Sequence, residues 1–134
     1  MQEPATFLYV EDDPMSREIM EMLLRGIGQT RVHIFENSAD FMCRVEALPN
    51  VPDVIFLDIH MLPISGFKML EMLRSHPVYA NTHVIAVTAS VMNEEVSQLK
   101  AAGFSGAIAK PLDFENFAEL VGRVLKRETI WHIV

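Results

Sequence analysis

The chain has one cysteine, Cys43, and one tryptophan, Trp131, in 134 residues. A lone cysteine cannot close an internal disulfide, so the fold must stand on its own core, and a reducing cytoplasm suits it. Cys43 falls in a helix-like stretch, where it reads as a small half-buried apolar residue rather than a reactive thiol. Long apolar runs are also missing. None approaches the roughly 20 residues needed to cross a bilayer. Met1-Gln2-Glu3-Pro4 lacks the basic start of a secretory leader. Positive charge is scarce, with 11 Lys and Arg against 18 Asp and Glu and a formal net charge of -7. Such a surface repels phosphate backbones, which argues against direct nucleic-acid binding.

Apolar residues make up 50% of the chain, enough for one domain with its own core and too many for disorder. They come in short runs that end in reactive groups. Phe7-Leu8-Tyr9-Val10 runs into Glu11-Asp12-Asp13, and Val54-Ile55-Phe56-Leu57 into Asp58. Val84-Ile85-Ala86-Val87 runs into Thr88, and Gly106-Ala107-Ile108-Ala109 into Lys110. A short apolar run bounded by turn residues reads as a buried strand. A further strand is expected from Val32 to Phe35, where His33 marks an edge or a partly exposed position.

Helix-like segments separate these runs. Asp13-Pro14 predicts an N-cap and a first turn, with Met15, Ile19, Met22 and Leu23 on one face. Gly26 and Gly28 supply the stop. Asn37-Ser38 predicts a second helix carrying Phe41, Val45 and Leu48. A third carries Phe67, Leu70 and Leu73, and a fourth, capped by Asn93, carries Val96 and Leu99. Asp113 is expected to cap the last, which turns Phe114, Phe117, Leu120, Val121, Val124 and Leu125 inward. Strands alternating with helices predict right-handed crossovers and one parallel sheet. The expected class is therefore α/β, a doubly wound five-stranded parallel sheet of order 2-1-3-4-5. Residues 1–127 form this domain, and residues 128–134 read as a C-terminal tail or a truncated linker.

In such a sheet ligands bind outside the carboxyl ends of the strands, where the winding reverses. Glu11, Asp12 and Asp58 are then expected to meet Thr88 and Lys110 on one edge. Close carboxylates raise one another's pKa, a penalty that a hard divalent cation removes. Oxygen ligands favour magnesium, which keeps several waters and takes one or two carboxylates together with phosphate oxygens. Asp12 and Asp58 are expected as direct ligands, and the longer Glu11 through a metal-bound water. A carboxylate is also a competent nucleophile, giving an aspartyl phosphate. Lys110 and Thr88 would then steady the phosphoryl oxygens as a point charge and a hydroxyl donor.

In their order and spacing, five segments resemble the receiver domain of two-component response regulators. They are Tyr9-Val10-Glu11-Asp12-Asp13, Leu57-Asp58-Ile59-His60-Met61, Gly66-Phe67, Val87-Thr88-Ala89 and the run from Gly103 to Pro111. The resemblance extends from about Phe7 to Lys126 and implies a flavodoxin-like (βα)5 fold. It implies Asp58 as phosphoacceptor, Glu11 and Asp12 as the acidic pair, and the backbone carbonyl of His60 as a third protein ligand of magnesium. It implies Thr88 as the switch hydroxyl, Lys110 as the partner of the phosphoryl group, and a cis Lys110–Pro111 peptide. The phosphoryl donor would be a histidine kinase or a histidine phosphotransfer protein. The output would be a downstream protein partner or an attached domain, and weak self-association is a further expectation. Uptake and hydrolysis of the phosphoryl group would be self-catalysed, with no separate substrate.

His60 and Ser90 flank the site in the family pattern, where they tune hydrolysis. Three positions depart from that pattern. Leu62 delays Pro63 by one place, Ser65 stands where Asp is common, and Ala107 stands where an aromatic residue is usual. The signal is therefore expected to leave through the backbone from Thr88 to Val91. A flavin carrier of similar fold is disfavoured, because Glu11-Asp12-Asp13 would repel a cofactor phosphate. Two alternatives stay open, a metal-dependent phosphatase and a receiver-like interaction domain that is never phosphorylated.

Overall fold

The structure, a computed structural model, describes residues 4–89, 92–112 and 114–132. Ser90, Val91 and the expected cap Asp113 lie outside the described residues. Strands and helices alternate as β1 (Thr6–Val10), α1 (Pro14–Gly26), β2 (Arg31–Phe35), α2 (Phe41–Glu46), β3 (Val54–Asp58) and α3 (Gly66–Arg74). They continue as β4 (His83–Thr88), α4 (Asn93–Ala102), β5 (Gly106–Ala109), α5 (Phe117–Leu125) and β6 (Ile130–His132). The strands form one parallel sheet of order β2-β1-β3-β4-β5-β6. The first five stand in the expected order, and the sixth corrects the five-strand expectation.

β1, β3 and β4 are buried along their whole length, which is why each reads as an unbroken apolar run. Successive side chains go to opposite faces. Leu8, Ile55, Leu57 and Val84 pack with Phe41, Met69, Leu70 and Leu99 from α2, α3 and α4. Phe7, Phe56, Ile85 and Val87 pack with Met20, Leu24, Phe117 and Val121 from α1 and α5. β2 is the edge strand, and His33 within it is only partly buried.

Asp13 caps α1, accepting from the Ser16 amide at 3.0 Å with Pro14 in the first turn. Met15 and Met22, expected on the inner face, are 66% and 54% exposed. Ile19 and Leu23 pack against the core as expected, and Met20 and Leu24 are fully buried beside them. The apolar residues form one wide arc around the helix, and packing on the sheet buries its Met20–Leu24 side and leaves the Met15–Met22 side exposed. Phe114 is exposed because α5 starts later than expected. Cys43 is exposed rather than half-buried. Asn37-Ser38 does not open α2. Asn37 Oδ1 accepts from the Ala39 amide at 2.9 Å, a local turn that competes with helix. Ser38 is buried, and its Oγ accepts from the Ile64 amide at 2.8 Å.

The segment read as a tail or linker holds β6, which pairs with β5 as Gly106↔Ile130, Ala107↔Trp131 and Ile108↔His132. Ile130 joins the core on the α5 side, and Trp131 packs on the opposite face. The approach to β6 is pinned by the His83 ring, whose Nε2 lies 2.7 Å from the Glu128 carbonyl. Arg127 also donates to the Asn81 carbonyl. Three residues are too few for an alternating pattern to be visible in sequence.

Gly66 fixes the other end of the site. A β-carbon there would lie 2.8 Å from both the Asp58 carbonyl oxygen and Ile59 Cα. The Gly66 amide donates to the Ile59 carbonyl at 3.0 Å. Both obstacles are backbone, so Gly66→Ala is expected to cost about 1–3 kcal/mol. A denaturant titration in which the variant matches the wild-type midpoint would contradict this.

His83 gives stability a pH dependence. Burial pushes its imidazole below the ordinary value and outweighs the hydrogen bond to the Glu128 carbonyl, with lesser help from Arg127 and Arg74. The unfolded chain then takes up the proton first. Stability from the neutral ring is complete above about pH 6.5 and is lost as the pH falls toward the lower folded value. Melting temperatures of wild type and His83→Gln should therefore draw together on acidification. A gap that stays constant removes His83 as the titrating group.

Candidate functional site

Parallel pairing brings four strand ends level. Val10 stands opposite Leu57, Asp58 opposite Val87, and Thr88 opposite Ala109. The residues that follow β1 and β5 are Glu11 and Lys110, so acids, a hydroxyl and an ammonium gather at one edge of the sheet. Glu11, Asp12 and Asp58 each offer a carboxylate oxygen, and these oxygens lie within 4.8 Å of one another.

Glu11 is fully buried, Asp58 is 7% exposed, and Asp12 is open to solvent. Glu11, whose length suggested an outer role, is thus the innermost of the three acids. Lys110 Nζ contacts Glu11 Oε1 and lies 3.6 Å from Asp58 Oδ2. One ammonium faces three acids, so the charge is under-compensated. Burial pushes the Glu11 carboxyl up to about 7; the adjoining Asp58 adds to this and Lys110 opposes it. Glu11 Oε2 is buried with no hydrogen-bond partner among the described residues. An unpaired buried oxygen beside two further acids fits the donor set of a hard divalent cation.

Local structure aims each group. Asp58 Oδ1 accepts from the His60 amide at 3.2 Å, which turns the β3–α3 loop back over the acid. The Ser38–Ile64 bond holds the far side of that loop. Thr88 is buried at the end of β4, and its carbonyl accepts from the Lys110 amide at 2.9 Å. The Lys110–Pro111 peptide is cis, as expected, and Leu62–Pro63 is cis as well. The His60 ring points away from the acids' oxygen cluster toward α4, with Nε2 3.2 Å from Glu95 Oε1.

Three neighbours were not anticipated. Arg17 donates to the Glu11 carbonyl at 3.0 Å. Glu95 meets His60 from the first turn of α4. Tyr9 is buried next to Glu11, and burial and the nearby acids push its phenol far above the ordinary value. Strand periodicity places Tyr9 on the α1 and α5 face. No sequence signal marks Arg17 or Glu95, because both reach the site only through the fold.

A family model described as the response regulator receiver domain matches residues 7–122. Hybrid signal transduction histidine kinase G of Dictyostelium discoideum is 31% identical over 118 residues, covering 87% of this chain and 3% of that protein. Response regulator Rre1 of Synechocystis is 26% identical over 128 residues, covering 96% of this chain and 54% of the relative. The chain thus spans a small part of one relative and about half of the other. Among solved structures, the receiver domain of a sensor histidine kinase from Pseudomonas aeruginosa PAO1, with magnesium coordinated in its active-site cleft, superposes with a TM-score of 0.76. It is 23% identical and the match covers 93% of this chain and 97% of that one. The family match takes in the first five strands and the acidic edge alike, and the chain belongs to the receiver domains of two-component signalling.

Proposed function

We propose that this receiver is a phosphorylation-controlled signalling module that takes a phosphoryl group onto Asp58 from a histidine kinase or a histidine phosphotransfer protein. The carrying observation is the placing of a nearly buried strand-end carboxylate 3.6 Å from Lys110, beside two further acids. An Asp58 oxygen attacks phosphorus, and a new O–P bond forms as the P–N bond to the donor histidine breaks. The electron pair of that bond stays on the imidazole nitrogen. Lys110 neutralises charge on the transferred group, and Thr88 donates its hydroxyl to a phosphoryl oxygen. Water later cleaves the acyl phosphate, which restores the Asp58 carboxylate and releases phosphate.

Glu11, Asp12, Asp58 and the backbone carbonyl of His60 would hold magnesium, in keeping with the orphaned Glu11 oxygen and with the metal in the Pseudomonas relative's cleft. When bound, the ion supplies charge neutralisation for the acids and the incoming phosphoryl group. The cytoplasm is the proposed location, and no helix among the described residues is long and apolar enough to cross a membrane. The response then passes to a downstream protein or an attached output domain. A phosphatase reading has less support. His60 stands where a second catalytic Asp would be needed, and its ring is turned toward Glu95.

Incubation with acetyl phosphate and magnesium should add one acid-stable, base-labile phosphoryl group by intact-protein mass spectrometry. Asp58→Asn should take up none. Equal labelling of the variant would defeat the assignment.

Asp12→Asn should weaken magnesium binding and raise the melting temperature in its absence, because it removes one of three crowded carboxylates. Calorimetric titration and thermal melts read the two effects separately. Unchanged magnesium affinity would remove Asp12 from the ligand set.

A further inference from the structure

The C-terminal strand has no part in the reaction above, yet its seat is built for it. A β-carbon on Gly106 would collide with the Ile130 carbonyl oxygen and lie 2.9 Å from the Ile130 nitrogen. β6 closes on β5 only because residue 106 has no side chain. Ile130 is 1% exposed in the core on the α5 side. Trp131 stands opposite Ala107 and packs on the cluster that holds Leu99, Phe104 and Ala107. Lys100 Nζ, from α4, lies 5.0 Å from the centre of the indole ring, within cation–π range. A small residue on β5 and a large one on β6 therefore share one space beside α4.

The same strand is coupled to the site. Ile108, which pairs with His132, precedes Lys110 by two residues. Lys110 is itself tied to Thr88 through its amide. Beyond the end of β6 lies a cavity of about 500 Å³ lined by Lys110, Pro111, Phe114 and His132. A displacement of Lys110 toward a new anion on Asp58 is thus a displacement at the end of the strand that carries β6, on the side away from the cavity. β6 has only three residues, and short edge elements open at low free-energy cost. Such an element can hold two arrangements that a change of charge at the site biases.

We propose that β6 is a latch on the α4–β5 surface, released when Asp58 is phosphorylated, with Trp131 as the side chain that leaves its seat on Ala107. The control of the latch rests on the phosphorylation of Asp58 proposed above.

Trp131 is the single tryptophan of the chain, so its fluorescence reads the latch directly in this chain. Emission and acrylamide quenching are followed during reaction with acetyl phosphate and magnesium, while intact mass follows the adduct. The expected result is a red shift and stronger quenching that grow with the adduct and are absent in Asp58→Asn. Gly106→Ala should give the same shift with no phosphoryl donor. If that variant fails to fold, Ala107→Leu fills the Trp131 seat from the β5 side and serves instead. A complete adduct with unmoved Trp131 emission overturns the control of the latch and leaves the phosphoacceptor reading standing. No adduct at all overturns that reading and the control with it. Wild-type emission in a folded release variant overturns the latch itself.

Discussion

One ammonium group, that of Lys110, stands between two largely buried carboxylates. Glu11 Oε1 is in contact with it and Asp58 Oδ2 is 3.6 Å away. Buried carboxylates are tolerated only when they are paired. Removing the lysine would leave both largely buried acids uncompensated. The pairing is also incomplete, since a third acid, Asp12, adjoins the cluster and Glu11 Oε2 has no hydrogen-bond partner among the described residues. A site in this condition favours groups that bring positive charge to the acids or that offer Lys110 a closer anion. The under-compensation that costs stability is therefore what makes the site receptive.

The frame that holds these charges is the rigid middle of the sheet. β1, β3 and β4 are buried on both faces and cannot slip without moving two cores at once. Parallel register then sets the strand ends level. The loops above the sheet are fastened by the His60–Asp58 and Ser38–Ile64 hydrogen bonds, by the Gly66 amide on the Ile59 carbonyl and by Ile59 and Met61 in the core. At the β5 edge a three-residue strand closes a sheet whose central strands are buried on both faces.

Much of this was legible before any coordinate. Four apolar runs mark strands whose ends carry the reactive groups, because residues buried on both faces of a parallel sheet must be apolar throughout. Asp13-Pro14 marked the start of α1 through a side-chain cap and a fixed proline φ. Asp58, Glu11, Asp12, Thr88 and Lys110 stood out since each broke an apolar run at its carboxyl end. α2 and the inner face of α1 were less readable. Asn37 makes a local turn that resembles a cap, and the apolar arc of α1 is wider than the face it buries.

The sequence by itself determined the first five strands, their order and the identity of the chemical groups, because periodicity and strand termini are local properties. Tertiary structure alone decided how the groups meet. It made Glu11 the buried acid and Asp12 the exposed one. It brought Arg17 and Glu95 to the site from separate helices. It turned residues 130–132 into a strand, because only the folded sheet presents the edge beside Gly106 that admits them. Contacts between residues far apart in the chain depend on packing and register, and neither is written in any short stretch of sequence.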